Sequence, residues 1–252
     1  MSNKQPTGFV LYQGPSMLDG APIVAIATGF ARRSSNAKTG DMVQTYIIRA
    51  DVAPTEAAKT GQDVSVCGDC KQRPANGGAC YVTLMHGPLS VFKGHQRGIY
   101  PVAQDAESIA ALGDGRMVRL GTYGDPAAVP AWVWQSLVSR AVGRTGYTHQ
   151  WRNEALPVAH RDALRALVMA SADNLEEAQE ARAKGMRYFR IRLATEPLQA
   201  REFVCPASEE AGKRTDCASC GACNGTQREA QASPVIVVHG SKARRFEAQR
   251  AT

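Results

Sequence analysis

The chain has no cysteine outside two short stretches, and this segregation excludes the ordinary use of cysteine as a scattered small hydrophobe. It has no apolar run near the roughly 18 to 20 residues of a membrane span. The longest, 21–31, is broken by Thr28 and Gly29, so no membrane partner is expected. Residues 1–7 are polar and carry no secretory signal. A cytoplasmic location is therefore expected, where thiols stay reduced and clustered cysteines bind metal more often than they form disulfides. The odd count of seven cysteines also excludes a fully closed disulfide framework. Aromatic residues make up 6% of the 252, with no aromatic-basic stripe of an RNA-recognition module and no Cys2His2 finger. Lys38-Thr39-Gly40 lacks the upstream glycine and residue order of a phosphate loop, which excludes nucleotide binding by that route.

What is present is concentrated. The first cysteine group is Cys67-x2-Cys70-x9-Cys80, and the second is Cys205-x11-Cys217-x2-Cys220-x2-Cys223. Four thiolates can close the shell of a zinc ion or an iron–sulfur cluster. Three leave a coordination position open, and an open position is where chemistry can happen. Both metals stay open for each group. In a zinc reading His86 completes a closed Cys3His site at the first group, and the second group is a staple for a loose loop. In an iron–sulfur reading both groups hold [4Fe-4S] clusters.

The net charge is +7, with basic residues at Arg32-Arg33, over 93–97 and over 242–250. This balance is compatible with nucleic acid as a partner, or with a solvated basic surface and a frayed tail.

Apolar runs at 8–12 and 22–28 flank a turn-rich segment and read as strands, followed by a β-rich run at 42–50. A loop rich in Gly, Asp and Pro then carries the first cysteine group, with a helix expected over 89–97. Further strands are expected at 117–122, 146–150, 167–171, 188–193, 202–204 and 235–238. Between them lie a helix opened by Pro130, with Trp134, Leu137, Val138 and Ala141 at helical spacing, a helix over 161–166, and a helix from Asp173 to near Gly185. For the last, Asp173 reads as the cap with Glu176 three residues on. Strands alternating with single helices imply crossovers and a parallel sheet. The expectation is an α/β fold, a partial, open parallel β/α barrel over 41–240, with a small N-terminal β element over 1–40 and a basic tail over 241–252.

Working residues of such sheets collect at the C-terminal ends of strands. Tyr123-Gly124-Asp125-Pro126 falls there, where Gly124 allows close backbone approach and Asp125 can accept hydrogen bonds from a ligand's amine. His149 is a candidate for acid/base work, or else a satisfied core histidine. Ser171 and Asp173 read as the start of a helix, with ligand contact as their second use. Glu209 and Glu210 read as solvated loop carboxylates.

The segments Ser35-Asn-Ala-Lys-Thr-Gly40, Cys80-Tyr81-Val82, Arg119-Leu-Gly-Thr-Tyr-Gly-Asp125, Gly146-Tyr-Thr-His149 and Cys205-Pro-Ala-Ser-Glu-Glu210 resemble the phage and mobile-element proteins of the gene-product-eighty-eight family, over most of residues 15–225. That family has no settled activity to carry over. More distantly, three cysteines after the 42–50 strand, an aromatic beside the last, and Gly124-Asp125-Pro126 after the next strand are similar to radical SAM enzymes. Those enzymes space their cysteines three and two residues apart, where this chain has gaps of two and nine. The resemblance implies a [4Fe-4S] cluster on Cys67, Cys70 and Cys80 whose open iron takes the amine and carboxylate of S-adenosylmethionine, with Asp125, after Gly124, helping to position the amine. It implies an auxiliary cluster on Cys205, Cys217, Cys220 and Cys223, and radical chemistry at the three-cysteine cluster on an unknown substrate.

Overall fold

The computed structural model describes residues 5–32, 36–226 and 231–250. Arg33 and Ser35, singled out in the sequence, lie outside the described residues. One nine-stranded sheet organises the chain, in the order β1-β2-β3-β4-β5-β6-β7-β9-β8. It opens with β1 (Gly8–Pro15) and β2 (Pro22–Thr28), an antiparallel hairpin, and β3 (Met42–Arg49) pairs antiparallel with β2. The N-terminal β element is thus continuous with the rest of the sheet.

Between β3 and the next strand come α1 (Pro54–Thr60), α2 (Val64–Cys67), α3 (Gly87–Gln96) and α4 (Ala106–Gly113). Only α3 was expected. Helix α4 is held by a reciprocal cap, in which Asp105 accepts from the Ser108 backbone and the Ser108 hydroxyl accepts from the Asp105 backbone. The chain then alternates: β4 (Met117–Tyr123), α5 (Ala131–Val138), β5 (Gly143–Thr148), α6 (Val158–Leu167), β6 (Met169–Ala172), α7 (Leu175–Ala183) and β7 (Tyr188–Arg192). It ends with β8 (Glu202–Val204), α8 (Cys217–Cys220), β9 (Ser233–Val237) and α9 (Ala243–Arg250). Every pairing from β3 onward is parallel. The fold is therefore a mixed α/β one built on a mostly parallel, unclosed sheet.

Strand alternation gives the sheet two different faces. Val118 and Leu120 of β4 share a buried core with Trp134 and Leu137 of α5 and Leu164 and Leu167 of α6. Ala170, Ala172 and Tyr188 pack with Ala178 and Ala181 of α7 in the same manner. Trp134 is fully buried, and its indole N–H is satisfied by the Pro126 carbonyl at 2.8 Å. The intervening residues Arg119, Thr145, Tyr147, Ser171, Phe189 and Ile191 face the other side and line a cavity.

Several expected boundaries move. Helix α5 ends at Val138, so Ala141 packs on the core from the turn after it. Strand β5 ends at Thr148, which places His149 just beyond the strand. Leu167 closes α6 rather than opening β6. The cap of α7 is Asn174, whose side chain accepts from the Glu177 backbone, and not Asp173. The basic tail is a helix that packs on the fold, with Phe246 buried.

Candidate metal centre

All seven cysteines line a single cavity of about 540 Å³ on the face opposite α5, α6 and α7. The two groups reach it from different directions.

Cys67 is the last residue of α2. Gly68 follows at φ +59°, and a Cβ there would lie 2.4 Å from the Gln150 side chain, so only glycine permits the turn. Gln150 occupies that space to donate to the Cys67 carbonyl at 3.2 Å and to Asp69 at 2.6 Å. The nine residues between Cys70 and Cys80 fold back on themselves. Cys80 donates its backbone N–H to the Gln72 carbonyl at 2.8 Å, and the Gln72 side chain accepts from Ala79 at 3.0 Å. Buried Arg73 anchors the loop from within, donating to Asp63, Gly61 and Gly68. The long gap therefore returns Cys80 to the neighbourhood of Cys67 and Cys70. Burial pushes the Cys67 thiol well up, and the neighbouring Cys70 and Cys80 push it further. Burial also raises Cys80.

The second group is stitched to the sheet at several points. Cys205 follows β8 and donates to the Val235 carbonyl at 2.8 Å. Cys217 and Ala218 donate to the carbonyls of Lys38 and Thr39 at 2.9 and 3.0 Å, and Asp216 caps α8 through Ser219. The Cys223 carbonyl accepts from Gly146 of β5 at 3.2 Å. Burial pushes the Cys223 thiol up to about 12, although the neighbouring Tyr147 works to lower it. Burial raises Cys205 and Cys217 as well.

The donor set is soft, three thiols and four, and suits zinc or an iron–sulfur cluster by its chemistry. Among the described residues no group of three or more His, Cys, Asp or Glu side chains is placed to hold a metal ion. Metal binding would draw the thiols together and displace protons that burial now holds on most of them.

Other expected site residues divide. His149 lines the cavity beside Cys70. Burial pushes its pKa down, but Cys70, then Asp173 and Asp125, outweigh that and raise it to about 10. Ser171 and Asp173 also line the cavity, at the end of β6. One Asp173 oxygen accepts from Gln72 at 3.0 Å, and the other is buried without a partner. Gly124 has φ +82°, and a Cβ there would sit 2.7 Å from Ile47, so glycine is required for β4 to turn against β3. Asp125 borders the cavity, but its oxygens are engaged by the backbone of Ala127 at 3.0 Å, the Thr148 hydroxyl at 2.7 Å and the backbone of His149 at 2.7 Å. His86 is exposed and does not line the cavity. Glu209 pairs with Lys213 on the surface, whereas Glu210 is an ion-pair partner of buried Arg192 and accepts from the Val237 backbone.

Three elements of the site escaped the sequence reading. Arg119 and Thr145 sit on neighbouring strands in a stretch that reads only as β structure. Gln150 had no signal. The tail contributes Lys242, which donates to the Cys80 carbonyl at 2.5 Å, and Phe246, 3% exposed and on the cavity wall.

No protein-family model matches this chain, and neither a curated protein nor a solved structure does. Among the described residues no helix is long and apolar enough to cross a membrane.

Proposed function

We propose that the chain is an iron–sulfur enzyme of the radical SAM type, acting on a small substrate held between two cysteine centres. Cys67, Cys70 and Cys80 would hold the reactive [4Fe-4S] cluster, and Cys205, Cys217, Cys220 and Cys223 a second one. One observation carries this reading: seven thiols in sets of three and four open onto the same cavity, whose 540 Å³ is in the range of small-molecule sites. A cluster with an open iron supplies the electron for reductive cleavage of S-adenosylmethionine.

The chain's own residues would bind and orient. Gln150 and Arg73 hold the three-cysteine loop in shape, and His149 orients the Cys70 sulfur. Asp125 sets the β4 turn, since its oxygens are already engaged. Asp173, with one free oxygen on the cavity, is the better carboxylate for a ligand's ammonium group, beside Ser171. Strand order supports a partial barrel: β3 to β7 are added one after another at the same edge, as in a singly wound sheet. The three-cysteine loop follows the first parallel strand and Gly124-Asp125 the second, as the radical SAM resemblance implies. Such centres need reduced thiols, which supports a cytoplasmic location. The resemblance to phage and mobile-element proteins supports an origin of that kind.

The test is anaerobic purification with iron, sulfide and zinc analysis and an absorption spectrum, followed by addition of S-adenosylmethionine. About eight irons with matching sulfide, four per cubane, support two clusters. A spectral change on adding S-adenosylmethionine supports the enzymatic step, and its absence leaves an electron-transfer or redox-sensing protein. Two zincs and no colour sink both. Nucleic acid at the basic surface then becomes the partner to seek, through binding that weakens steeply with salt.

A further inference from the structure

We propose that Arg119 and Thr145 form an oxyanion site on the cavity floor that receives a carboxylate or phosphate of the bound ligand. The proposal goes beyond the metal assignment and holds whichever metal the thiols take. The two residues are direct partners in the parallel register of β4 and β5, and both face the cavity. Arg119 is 9% exposed and Thr145 is 1% exposed.

Both have unused hydrogen-bonding capacity. Five buried arginines are found among the described residues, and four are answered. Arg73 pairs with Asp63, Arg190 with Glu202 and Arg192 with Glu210, while Arg187 donates to a ring of carbonyl and amide oxygens. Arg119 alone of the five has neither a carboxylate nor a ring of carbonyl oxygens. Its contacts are a long hydrogen bond to the Tyr81 hydroxyl at 3.5 Å and the Tyr147 ring, 5.6 Å from its carbon centre. A guanidinium offers five donors in a planar fork that matches an oxyanion. The Thr145 hydroxyl is buried with no partner. On the other side of Arg119, its β3 partner Gln44 is already bonded to Thr122 at 2.7 Å. Leaving a buried charge and a buried hydroxyl unanswered is costly, and one oxyanion between them answers both.

The rival for Arg119 is the charge of the second cysteine group, since Cys217 and Cys223 act on it electrostatically. Thr145 separates the two, because a counter-charge for thiolates has no need of that hydroxyl. The experiment uses the full-length protein with its metals as purified, titrated with sodium acetate and with sodium phosphate. Sodium chloride serves as the ionic-strength control. Binding is read by calorimetry and by the thermal midpoint, and metal content is measured for every variant. A saturable response to either anion, weakened at least tenfold by both Arg119→Gln and Thr145→Val and partly kept by Arg119→Lys, supports the site. A response to acetate alone assigns a carboxylate ligand, and one to phosphate alone a phosphorylated ligand. The proposal is overturned if neither anion binds saturably, or if Thr145→Val leaves the response unchanged. It is equally overturned if Arg119→Gln only strips metal from the second group. Thr145→Val is nearly isosteric, so it decides the matter even where Arg119→Gln does not fold.

Discussion

Asp125 accepts a hydrogen bond from the Thr148 hydroxyl at 2.7 Å, which ties the turn after β4 to the end of β5. Its second oxygen takes the backbone N–H of the next residue, His149, at 2.7 Å. The carboxylate thus places the histidine that meets Cys70. Asp125→Asn puts an NH2 where one of these donors points. An expected loss of roughly 1–3 kcal/mol follows, the cost of leaving a buried donor unanswered. Urea unfolding checks it. Unchanged stability would show that Asp125 is free for a ligand instead.

Glu177 bridges α7 to the first cysteine loop, pairing with Lys71 and Arg152 at 2.8 Å each. Burial works to raise its pKa, but hydrogen bonds from Lys71, the Asp173 backbone and Arg152 outweigh it and bring it down to about 2. A folded pKa below the unfolded value means stability that is present above the ordinary glutamate range. It is lost as pH falls from about 4.5 towards 2. Glu177→Gln should lower the thermal midpoint at pH 7, and the gap to the parent should close across that acid window. A gap that is constant with pH would mean that the charge contributes nothing.

Much of the sheet was legible because its signals are local. Residues 22–28 and 202–204 are strands at the expected limits, since β-branched and aromatic runs bounded by turn residues report directly on strand formation. The α7 cap was misplaced by one residue because Asp173 and Asn174 are both good caps, and only tertiary contact decides between them. Asp173 is drawn to Gln72 of the cysteine loop, which leaves the cap to Asn174. The seven cysteines were legible as two groups, but their common cavity was not. It depends on a long return from Cys70 to Cys80 and on a tail whose Lys242 and Phe246 carry no pattern of their own. Arg119 was missed for a related reason: a single charge in a strand reads as pointing to solvent.

Helix α9 closes the cavity with little of its own surface, since Phe246 is its one buried residue. Lys242 at one end bonds Cys80, and Arg250 at the other bonds the Asp173 carbonyl at 2.6 Å and pairs with Glu196. Few buried contacts make such an element open locally before the rest unfolds. Phe246→Ala should leave global unfolding nearly unchanged. Modification of Cys67 and Cys80 by a thiol reagent, followed by mass spectrometry, should speed up at least tenfold, which corresponds to about 1.4 kcal/mol of lost closure. Equal rates in parent and variant would mean that the thiols are reached by another route.

The two cysteine groups are built on separate backbone segments, so their loading should be separable. The first hangs on Gln72, Arg73 and Gln150, and the second on Lys38, Thr39 and Gly146. Cys80→Ser should remove about half of the bound metal and leave the thermal midpoint close to that of the parent, because the backbone bond from residue 80 to Gln72 does not involve the sulfur. Cys217→Ser should remove the other half. It should also loosen the 36–40 loop that the second group holds, seen as faster hydrogen exchange at Thr39 and Gly40. Loss of all the metal from either variant would mean that the seven thiols serve one centre. In that case the division into a reactive and an auxiliary cluster fails.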